Sequence, residues 1–242
     1  MNNTTNKMQV EVWSDVMCPF CYIGKRKFEH ALAASSHANE IELVWKSFQL
    51  NPDITANDSK DYLAYLQQKK GFSEQQTKSM LANVTKMASE VGLDFHFEKA
   101  IVANSFNAHR LSHLAKKHGL QNEMEEALFI AHFIEGKDIN DLETLTSMAI
   151  SLGMDTAEIT KTLNSDAFAE AVLTDQEEAQ QIGVGGVPFF VFNRKYAISG
   201  AQDEKVFANT IEKAFAEWKK DNGNQKLEVI DGKVCKPGGE CE

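Results

Sequence analysis

Residues 14–24 read SDVMCPFCYIG, and two cysteines of this stretch, Cys18 and Cys21, stand two residues apart. The segment 8–14, which runs into it, places apolar side chains at every second position, as is typical of a β-strand. A proline follows Cys18, and proline suits the first turn of a helix; apolar residues then recur at helical spacing. The sequence therefore predicts a strand that leads into a helix, with the two cysteines at the start of that helix.

The rest of the chain divides into segments of clear periodicity. Segment 41–48 is rich in β-branched and aromatic residues and predicts a second strand, so the chain opens with a βαβ unit. Helical patterns then follow one another through residues 51–182. Within segment 184–192, Gly-Gly-Val-Pro is followed by four apolar residues, which predicts a tight approach into a buried strand. Segment 196–199 can pair with this strand in a hairpin, and 207–218 predicts a terminal amphipathic helix. This order is that of an α/β protein whose strands are separated by a long all-helical block.

Capping residues predict where some helices of this block begin. Asp58 precedes one helical pattern, and Ser73 starts the next one. Segment 105–118 predicts a further helix, and segment 167–181 predicts the last helix of the block.

The composition describes an acidic protein with enough apolar residues to form a core. Of the 242 residues, 43% are hydrophobic, and 25 basic against 35 acidic residues give a net charge of −10. Such a charge repels phosphate groups, so we expect neither nucleic acid nor an anionic membrane surface as a partner. No apolar stretch approaches the roughly 20 residues of a membrane-spanning helix, and we expect a soluble protein.

Four cysteines are too few for a disulfide scaffold, and they fall into two pairs. One is the Cys-x-x-Cys pair, and the other is Cys235 with Cys241. Upstream of the first pair, Glu11 and Asp15 interrupt the apolar positions, so no secretory signal is predicted and we expect a cytoplasmic protein. In that reducing compartment, a Cys-x-x-Cys pair favours redox chemistry or metal binding over a permanent disulfide.

Cys18 and Cys21 are the candidate catalytic residues. Thiol–disulfide exchange needs a thiolate that attacks a disulfide and a second thiol that releases the mixed disulfide. Unpaired N–H groups and the helix dipole favour a thiolate at the N-terminus of a helix, so we assign Cys18 as the nucleophile. Cys21, one turn further, is the resolving thiol, and the intervening Pro19 and Phe20 tune the pair.

Two other interpretations of the cysteine pair stay open on the residues alone: two core thiols, or half of a zinc site. The second pair is a poor match for zinc, because five residues separate Cys235 from Cys241 where about two to four are usual. His109 and His113 have the spacing of a helical zinc pair, but Arg110 stands where such a site needs glutamate. We therefore expect no metal.

The motif of residues 14–24 occurs together with Asn-Ser-x-x-Ala-His-Arg at 104–110 and Gly-Gly-Val-Pro at 185–188. With these three elements the chain resembles the thioredoxin superfamily and, within it, the DsbA-like group typified by the FrnE proteins. The resemblance covers nearly the whole chain and implies an α/β, thioredoxin-like fold with a mixed sheet. It also implies three parts: a thioredoxin-like core from 8–50 and 183–219, an all-helical insertion domain from 51–182, and a C-terminal tail from 220–242.

The resemblance implies roles for residues far from the cysteine pair. Pro188 is expected to follow a cis peptide bond and to face Cys18, and the backbone of Val187 is expected to pair with an extended substrate. Asn104 and Ser105 match an element near the redox site and are candidate substrate-binding residues. An Asn-Ser pair is also a common helix cap, which is the alternative role for these two residues.

The second cysteine pair has its own implied role. FrnE-like proteins can carry a second pair near the C-terminus, which makes Cys235 and Cys241 a candidate auxiliary redox pair. Two independent thiols in a flexible tail are the alternative.

The function that the resemblance implies is thiol–disulfide oxidoreduction, with protein or small-molecule thiols and disulfides as partners. No cofactor is expected, glutathione is a candidate co-substrate, and the protein is expected to be a monomer or a homodimer. One alternative is a glutathione-dependent isomerase or transferase of the 2-hydroxychromene-2-carboxylate isomerase or kappa type, which typically has serine in place of Cys18. The other is a non-enzymatic, chaperone-like binding module.

Overall fold

The computed structural model of the protein describes residues 7–55 and 61–222. The strands in these ranges are β1 (Met8–Ser14), β2 (Ile41–Ser47), β3 (Phe189–Phe192) and β4 (Tyr196–Ser199). The α-helices are α1 (Pro19–Ala34), α2 (Tyr62–Lys70), α3 (Glu74–Ser89), α4 (Phe106–Lys117), α5 (Gln121–Ile130), α6 (Leu142–Ser151), α7 (Thr156–Leu163), α8 (Ala169–Gln181) and α9 (Glu204–Asn222). Among the described residues, no helix is both long and apolar enough to span a bilayer.

The strands form a mixed sheet of order β2-β1-β3-β4. β1 pairs with β2 in parallel, from Met8 opposite Ile41 to Ser14 opposite Ser47. β3 runs antiparallel to both of its neighbours, β1 and β4. Helices α2 to α8 all lie between β2 and β3 in the chain. The predicted α/β, thioredoxin-like fold with a helical insertion is therefore confirmed.

A tight turn joins β3 to β4, as the sequence predicts. Three residues, 193–195, separate the strands, and Asn193 and Arg194 have φ angles of 48° and 55°, in the left-handed region that tight hairpin turns commonly use. β3 begins at Phe189, directly after residues 185–188, which confirms the buried strand predicted to follow Gly-Gly-Val-Pro. Pro188 has no N–H to donate to the ladder, which places it at the start of the strand.

Side-chain caps begin several helices of the insertion. At the start of α3, the Ser73 hydroxyl accepts a hydrogen bond from the Gln76 N–H at 3.3 Å, and the Gln76 side chain accepts one from the Ser73 N–H at 2.9 Å. This reciprocal capping box confirms the predicted helix start. Asp61 caps α2, whereas Asp58, the predicted cap, lies outside the described residues.

Three predicted boundaries differ from those observed. β2 ends at Ser47 instead of residue 48. α8 begins at Ala169 instead of 167, because Phe168 adopts a left-handed φ of 64°. α9 continues through Asn222, so the segment predicted as a tail begins inside this helix. The remainder of that segment, with Cys235 and Cys241, lies outside the described residues.

α5 continues into a π-helical segment, Ala131–Glu135, that the sequence analysis did not predict. The segment ends at Gly136, whose φ is 68°. A Cβ atom at this position would lie 2.5 Å from the carbonyl oxygen of Lys99, so glycine lets the two backbones approach closely. The backbone N–H of His96 donates to the Phe133 carbonyl at 2.7 Å, which joins the π-helical segment to the 93–101 loop.

A continuous apolar core joins the sheet to the inserted helices. Phe28 of α1 packs against Phe190 of β3 and Phe207 of α9, with ring centroids 5.6 and 6.1 Å apart. Tyr22 of the same helix stacks on Phe129 of α5 at 4.8 Å. α1 thus contacts both the sheet and the inserted helices.

The predicted division of the chain into core, insertion and tail stays a prediction.

Candidate active site

Cys18 lies where β1 passes into α1. β1 ends at Ser14, and a turn follows in which the Cys18 backbone N–H donates to the Asp15 carbonyl at 2.9 Å. Cys18 is the N-cap residue of α1, and Pro19 occupies the first turn. The cysteine therefore stands at the N-terminus of α1, where the positive end of the helix dipole lies.

The segment that carries Pro188 lies directly opposite this helix start. The peptide bond between Val187 and Pro188 is cis. The Cys18 thiol donates to the Val187 carbonyl oxygen, with 3.5 Å between sulfur and oxygen. Cys18 and Val187, which come from opposite ends of the chain, are thus in contact, because β1 and β3 are neighbours in the sheet.

Cys21 lies deeper than Cys18, and both cysteines are free thiols. Burial raises the pKa of Cys21 well above its usual value, and the neighbouring Cys18 raises it further. Cys21 is therefore a neutral thiol at physiological pH.

A cavity of about 500 Å³ opens beside Cys18. Pro19 and Phe20 line it on the α1 side, and Phe20 is 38% exposed at its rim. Its opposite wall consists mainly of aromatic and aliphatic side chains from α2 and α3: Tyr62, Tyr65, Leu66, Met80, Leu81 and Val84. Lys69 of α2 also lines it. The helical insertion thus supplies an apolar wall next to the thiol.

A more open groove continues from this cavity along α3. Its volume is about 800 Å³, and it shares Phe20, Met80 and Val84 with the cavity. The side chains that line its remaining length are mostly polar and uncharged: Ser73, Gln75, Gln76, Ser79 and Asn83.

Asn104 and Ser105 have different surroundings. The side-chain oxygen of Asn104 accepts hydrogen bonds from the Gln49 side chain and from the Phe106 N–H, both at 2.9 Å. Its amide nitrogen donates to the Pro52 carbonyl at 2.9 Å, so Asn104 holds the loop that follows β2. Ser105 is buried and lines the cavity beside Cys18.

Asp15 is a site residue whose role the sequence analysis missed. Its carboxylate accepts hydrogen bonds from the Met17 N–H at 3.1 Å and from the Leu50 N–H at 2.7 Å, which fixes the turn before Cys18. The ring of His109, from α4, lies 3.7 Å from the same carboxylate. In the sequence, Asp15 is recognisable as the acidic residue nearest before the cysteine pair, but its contacts with Leu50 and His109 have no local signal.

The electrostatics of Asp15 and His109 are reciprocal. Burial opposes the charge on Asp15, but the imidazole and the two N–H donors outweigh it and hold the pKa of Asp15 below its usual value. Burial likewise opposes a charge on His109, yet Asp15 raises the pKa of His109 above the usual value. The turn before Cys18 therefore lies beside a buried carboxylate–imidazole pair, which links α4 to the redox site.

The described residues contain no cluster of three or more side chains able to hold a metal ion. The two histidines of α4 have separate partners. His113 contacts Asp175 at 3.1 Å and the Ser47 hydroxyl at 3.1 Å, whereas His109 faces Asp15.

Solved structures similar to this chain include a probable DsbA oxidoreductase from Streptomyces coelicolor, which is 37% identical with a TM-score of 0.82, the match covering 97% of this chain and 98% of that one. A 2-hydroxychromene-2-carboxylate isomerase is 18% identical, with a TM-score of 0.61 and coverages of 89% and 98%. The cytosolic disulfide reductase DsbM from Pseudomonas aeruginosa is 14% identical, with a TM-score of 0.58 and coverages of 88% and 98%. At these two lower identities the likeness shows the fold alone.

The family model of the DSBA-like thioredoxin domain matches residues 9–212. The match includes both cysteines of the helix start and the proline opposite them. It also spans the inserted helices α2 to α8, so it covers most of the chain. This chain belongs to the family of DSBA-like thioredoxin domains.

Proposed function

We propose that this protein is a thiol–disulfide oxidoreductase that acts through a mixed disulfide on Cys18. The observation that carries the proposal is the position of Cys18, which caps the N-terminus of α1 with the buried Cys21 thiol one turn behind it. The Val187 carbonyl oxygen lies 3.5 Å from the Cys18 sulfur, which supports a position for an extended substrate backbone next to this thiol. Membership of the DSBA-like family supports the same activity.

In the reductive direction, the Cys18 thiolate attacks one sulfur of a substrate disulfide. A bond forms between Cys18 and that sulfur, the substrate S–S bond breaks, and the released thiolate takes a proton from water. Cys21 then gives its proton to solvent and attacks the Cys18 sulfur. The Cys18–Cys21 disulfide forms, and the second substrate thiolate leaves. The substrate gains two electrons, which the cysteine pair loses; the reverse sequence oxidises a substrate dithiol.

The apolar cavity supports a substrate that carries an apolar side chain close to its disulfide. The uncharged polar groove along α3 supports a longer, polypeptide substrate, since serine, asparagine and glutamine side chains can hydrogen-bond a peptide backbone. We therefore propose protein disulfides as the main substrates. Phe20, at the rim that the cavity and groove share, and Ser105, inside the cavity, are the proposed contact residues.

We further propose glutathione as the thiol that restores the reduced pair and the cytoplasm as the compartment. Two glutathione molecules supply the two electrons and become glutathione disulfide, so no bound cofactor is needed. The structure of the cytosolic disulfide reductase from Pseudomonas aeruginosa that shares this fold was solved with GSH.

Reduction of insulin disulfides tests the activity. We expect the wild-type protein to accelerate insulin precipitation with glutathione as the electron donor and Cys18→Ser to abolish the acceleration. Cys21→Ser retains the nucleophile but cannot resolve, so we expect it to accumulate a mixed disulfide with insulin, which mass spectrometry of the non-reduced protein detects.

The Cys235→Ser, Cys241→Ser double variant is the control, because it removes two thiols of the protein and keeps the Cys18–Cys21 pair. Turnover that survives in Cys18→Ser would contradict the proposal. Activity with dithiothreitol but none with glutathione would contradict glutathione as the electron donor and leave the proposed exchange reaction intact. Loss of turnover in the double variant would assign an electron-transfer role to the tail pair.

A further inference from the structure

Ser14, the last residue of β1, directs its side chain toward α1. Side chains alternate between the two faces along a strand. Val10 and Val12 belong to the large core that includes the buried face of α1, whereas Trp13 belongs to a separate cluster on the opposite face. Ser14 shares the face of Val10 and Val12, and β1 ends next to the first turn of α1, so its hydroxyl points toward the cysteine pair.

The Ser14 hydroxyl is an unusual group, because it is buried at 2% exposure and has no hydrogen-bond partner among the described residues. Leaving a buried hydroxyl unpaired costs about 1–3 kcal/mol, so such groups are rare unless they have a function. The hydroxyl lies within the environment of Cys21, where it opposes the larger effect of burial on the pKa of that thiol.

We propose that Ser14 is a catalytic residue that donates its hydroxyl hydrogen bond to the Cys21 sulfur when that sulfur carries a negative charge. The inference rests on the proposed thiol–disulfide exchange and adds a residue to it. The hydroxyl has no strong acceptor while Cys21 is a thiol, and it gains one when Cys21 becomes a thiolate. The interaction is therefore made in the reacting state and not in the resting state, which is the condition for an effect on rate.

The step concerned is the resolution of the mixed disulfide. Cys21 first releases its proton to solvent, and Ser14 stabilises the resulting thiolate. This thiolate attacks the Cys18 sulfur, the Cys18–Cys21 bond forms, and the bond between Cys18 and the substrate sulfur breaks. The electron pair leaves on the substrate thiolate, which takes a proton from water. In the reverse direction Cys21 is the leaving group, and Ser14 stabilises the same charge.

A two-phase reaction with the aromatic disulfide dithiobis(nitrobenzoate) separates this step from the first attack. The protein is the reduced full chain with Cys235→Ser and Cys241→Ser, so that Cys18 and Cys21 are its remaining thiols. Attack by Cys18 releases the first coloured thiolate, and resolution by Cys21 releases the second. For Ser14→Ala we expect an unchanged first phase and a second phase slowed by about 10- to 100-fold, the worth of a hydrogen bond to a charged group. The pH midpoint of the second phase should move upward.

Ser47→Ala is the matched control. Ser47 is directly opposite Ser14 in the β1–β2 register and is also buried, but its hydroxyl is hydrogen-bonded to His113. Both phases of this control should keep the wild-type rates. The unchanged first phase of Ser14→Ala also shows that the variant is folded, and its melting temperature should equal or exceed that of the wild type, since an unpaired buried hydroxyl has been removed.

A second phase at the wild-type rate in Ser14→Ala, or equal slowing of both phases, would overturn the role of Ser14. The proposed function fails in a different way. In that case Cys18→Ser, which in this background retains Cys21 alone and can release at most one coloured thiolate, would still reduce insulin disulfides at the wild-type rate.

Discussion

At the scale of single residues, a neighbouring carboxylate decides the direction in which the pKa of a buried histidine shifts. His109 and His132 are both buried, and burial lowers the pKa of an imidazole. The ring nitrogens of His132 have no hydrogen-bond partner among the described residues, and burial lowers its pKa to about 4. His109 lies beside Asp15, and its pKa is raised instead. The two histidines therefore affect stability with opposite dependence on pH.

We predict that His132 makes the protein less stable in acid. An unfolded histidine binds its proton near a pH of about 6.5, whereas His132 in the folded protein binds it only near about 4. Between these values the unfolded state holds more protons, so a falling pH favours unfolding. Titration of this residue should lower the free energy of unfolding by about 3 kcal/mol at pH 4. Urea denaturation of the wild type and of His132→Leu at pH 7 and pH 4 measures this loss.

The comparison isolates His132, because the other titrating groups, including His109, are present in both proteins. The wild type should lose about 3 kcal/mol more than His132→Leu between the two pH values. If both proteins lost the same free energy of unfolding, His132 would have the same pKa in the folded and unfolded states. That result would contradict the prediction that burial lowers its pKa.

At the scale of elements, the packing of α1 against the strand that follows Pro188 depends on Gly24. A Cβ atom at this position would lie 3.0 Å from the Cγ of Pro188 and 3.4 Å from the ring of Phe190. The glycine lowers the intrinsic helix propensity of α1 by about 1 kcal/mol relative to alanine. In return, the absence of a side chain at Gly24 lets Pro188, and with it the Val187 carbonyl, lie close to the start of α1.

We predict that Gly24→Ala slows exchange without a large change in stability. The better helix propensity of alanine offsets the strain of the contact, so the free energy of unfolding should stay within about 1 kcal/mol of wild type. Pro188 must move by a few tenths of an ångström, and insulin reduction should fall by up to about tenfold, because catalysis is sensitive to such displacements. Gly185→Ala is the control, since its Cβ would meet no atom within 4 Å. A wild-type rate for Gly24→Ala would show that the contact does not position the site.

The same two elements show how much of the fold the sequence predicts. β1 and the first turn of α1 are predictable because alternation, proline and the cysteine spacing are local signals. The turn between β3 and β4 is equally local. The π-helical segment Ala131–Glu135 leaves no such signal, and the close approach of Gly136, where it ends, to the distant Lys99 depends on tertiary structure.

The candidate site divides along the same line. The sequence predicts Cys18, Cys21 and Pro188 from a motif and from the resemblance. It does not predict the partners of Asp15, because the Leu50 N–H and the His109 ring that surround it come from other parts of the chain. Contacts that depend on tertiary structure have no signature in a single sequence.

At the scale of the whole molecule, a buried ion pair joins the N-terminal helix to the insertion. The Lys25 ammonium of α1, buried at 1% exposure, lies 2.7 Å from a carboxylate oxygen of Glu126 in α5. Glu126 also accepts a hydrogen bond from the Tyr22 hydroxyl at 2.6 Å and pairs with Arg26. Burial opposes the charge on Glu126, but these partners outweigh it and lower its pKa. Glu126 thus holds three side chains of α1 against α5.

We predict that Glu126→Gln destabilises the entire protein and not the insertion alone. The substitution leaves the buried Lys25 with Glu29 as its remaining carboxylate partner among the described residues, so the free energy of unfolding should fall by about 3 kcal/mol. Because the apolar core is continuous, urea unfolding followed by far-ultraviolet circular dichroism and by tryptophan fluorescence should give one coincident transition in both proteins. Glu158→Gln, which alters a surface pair with Lys117, should cost much less. Two separate transitions, with only one shifted by Glu126→Gln, would instead mean that the inserted helices unfold independently of the sheet.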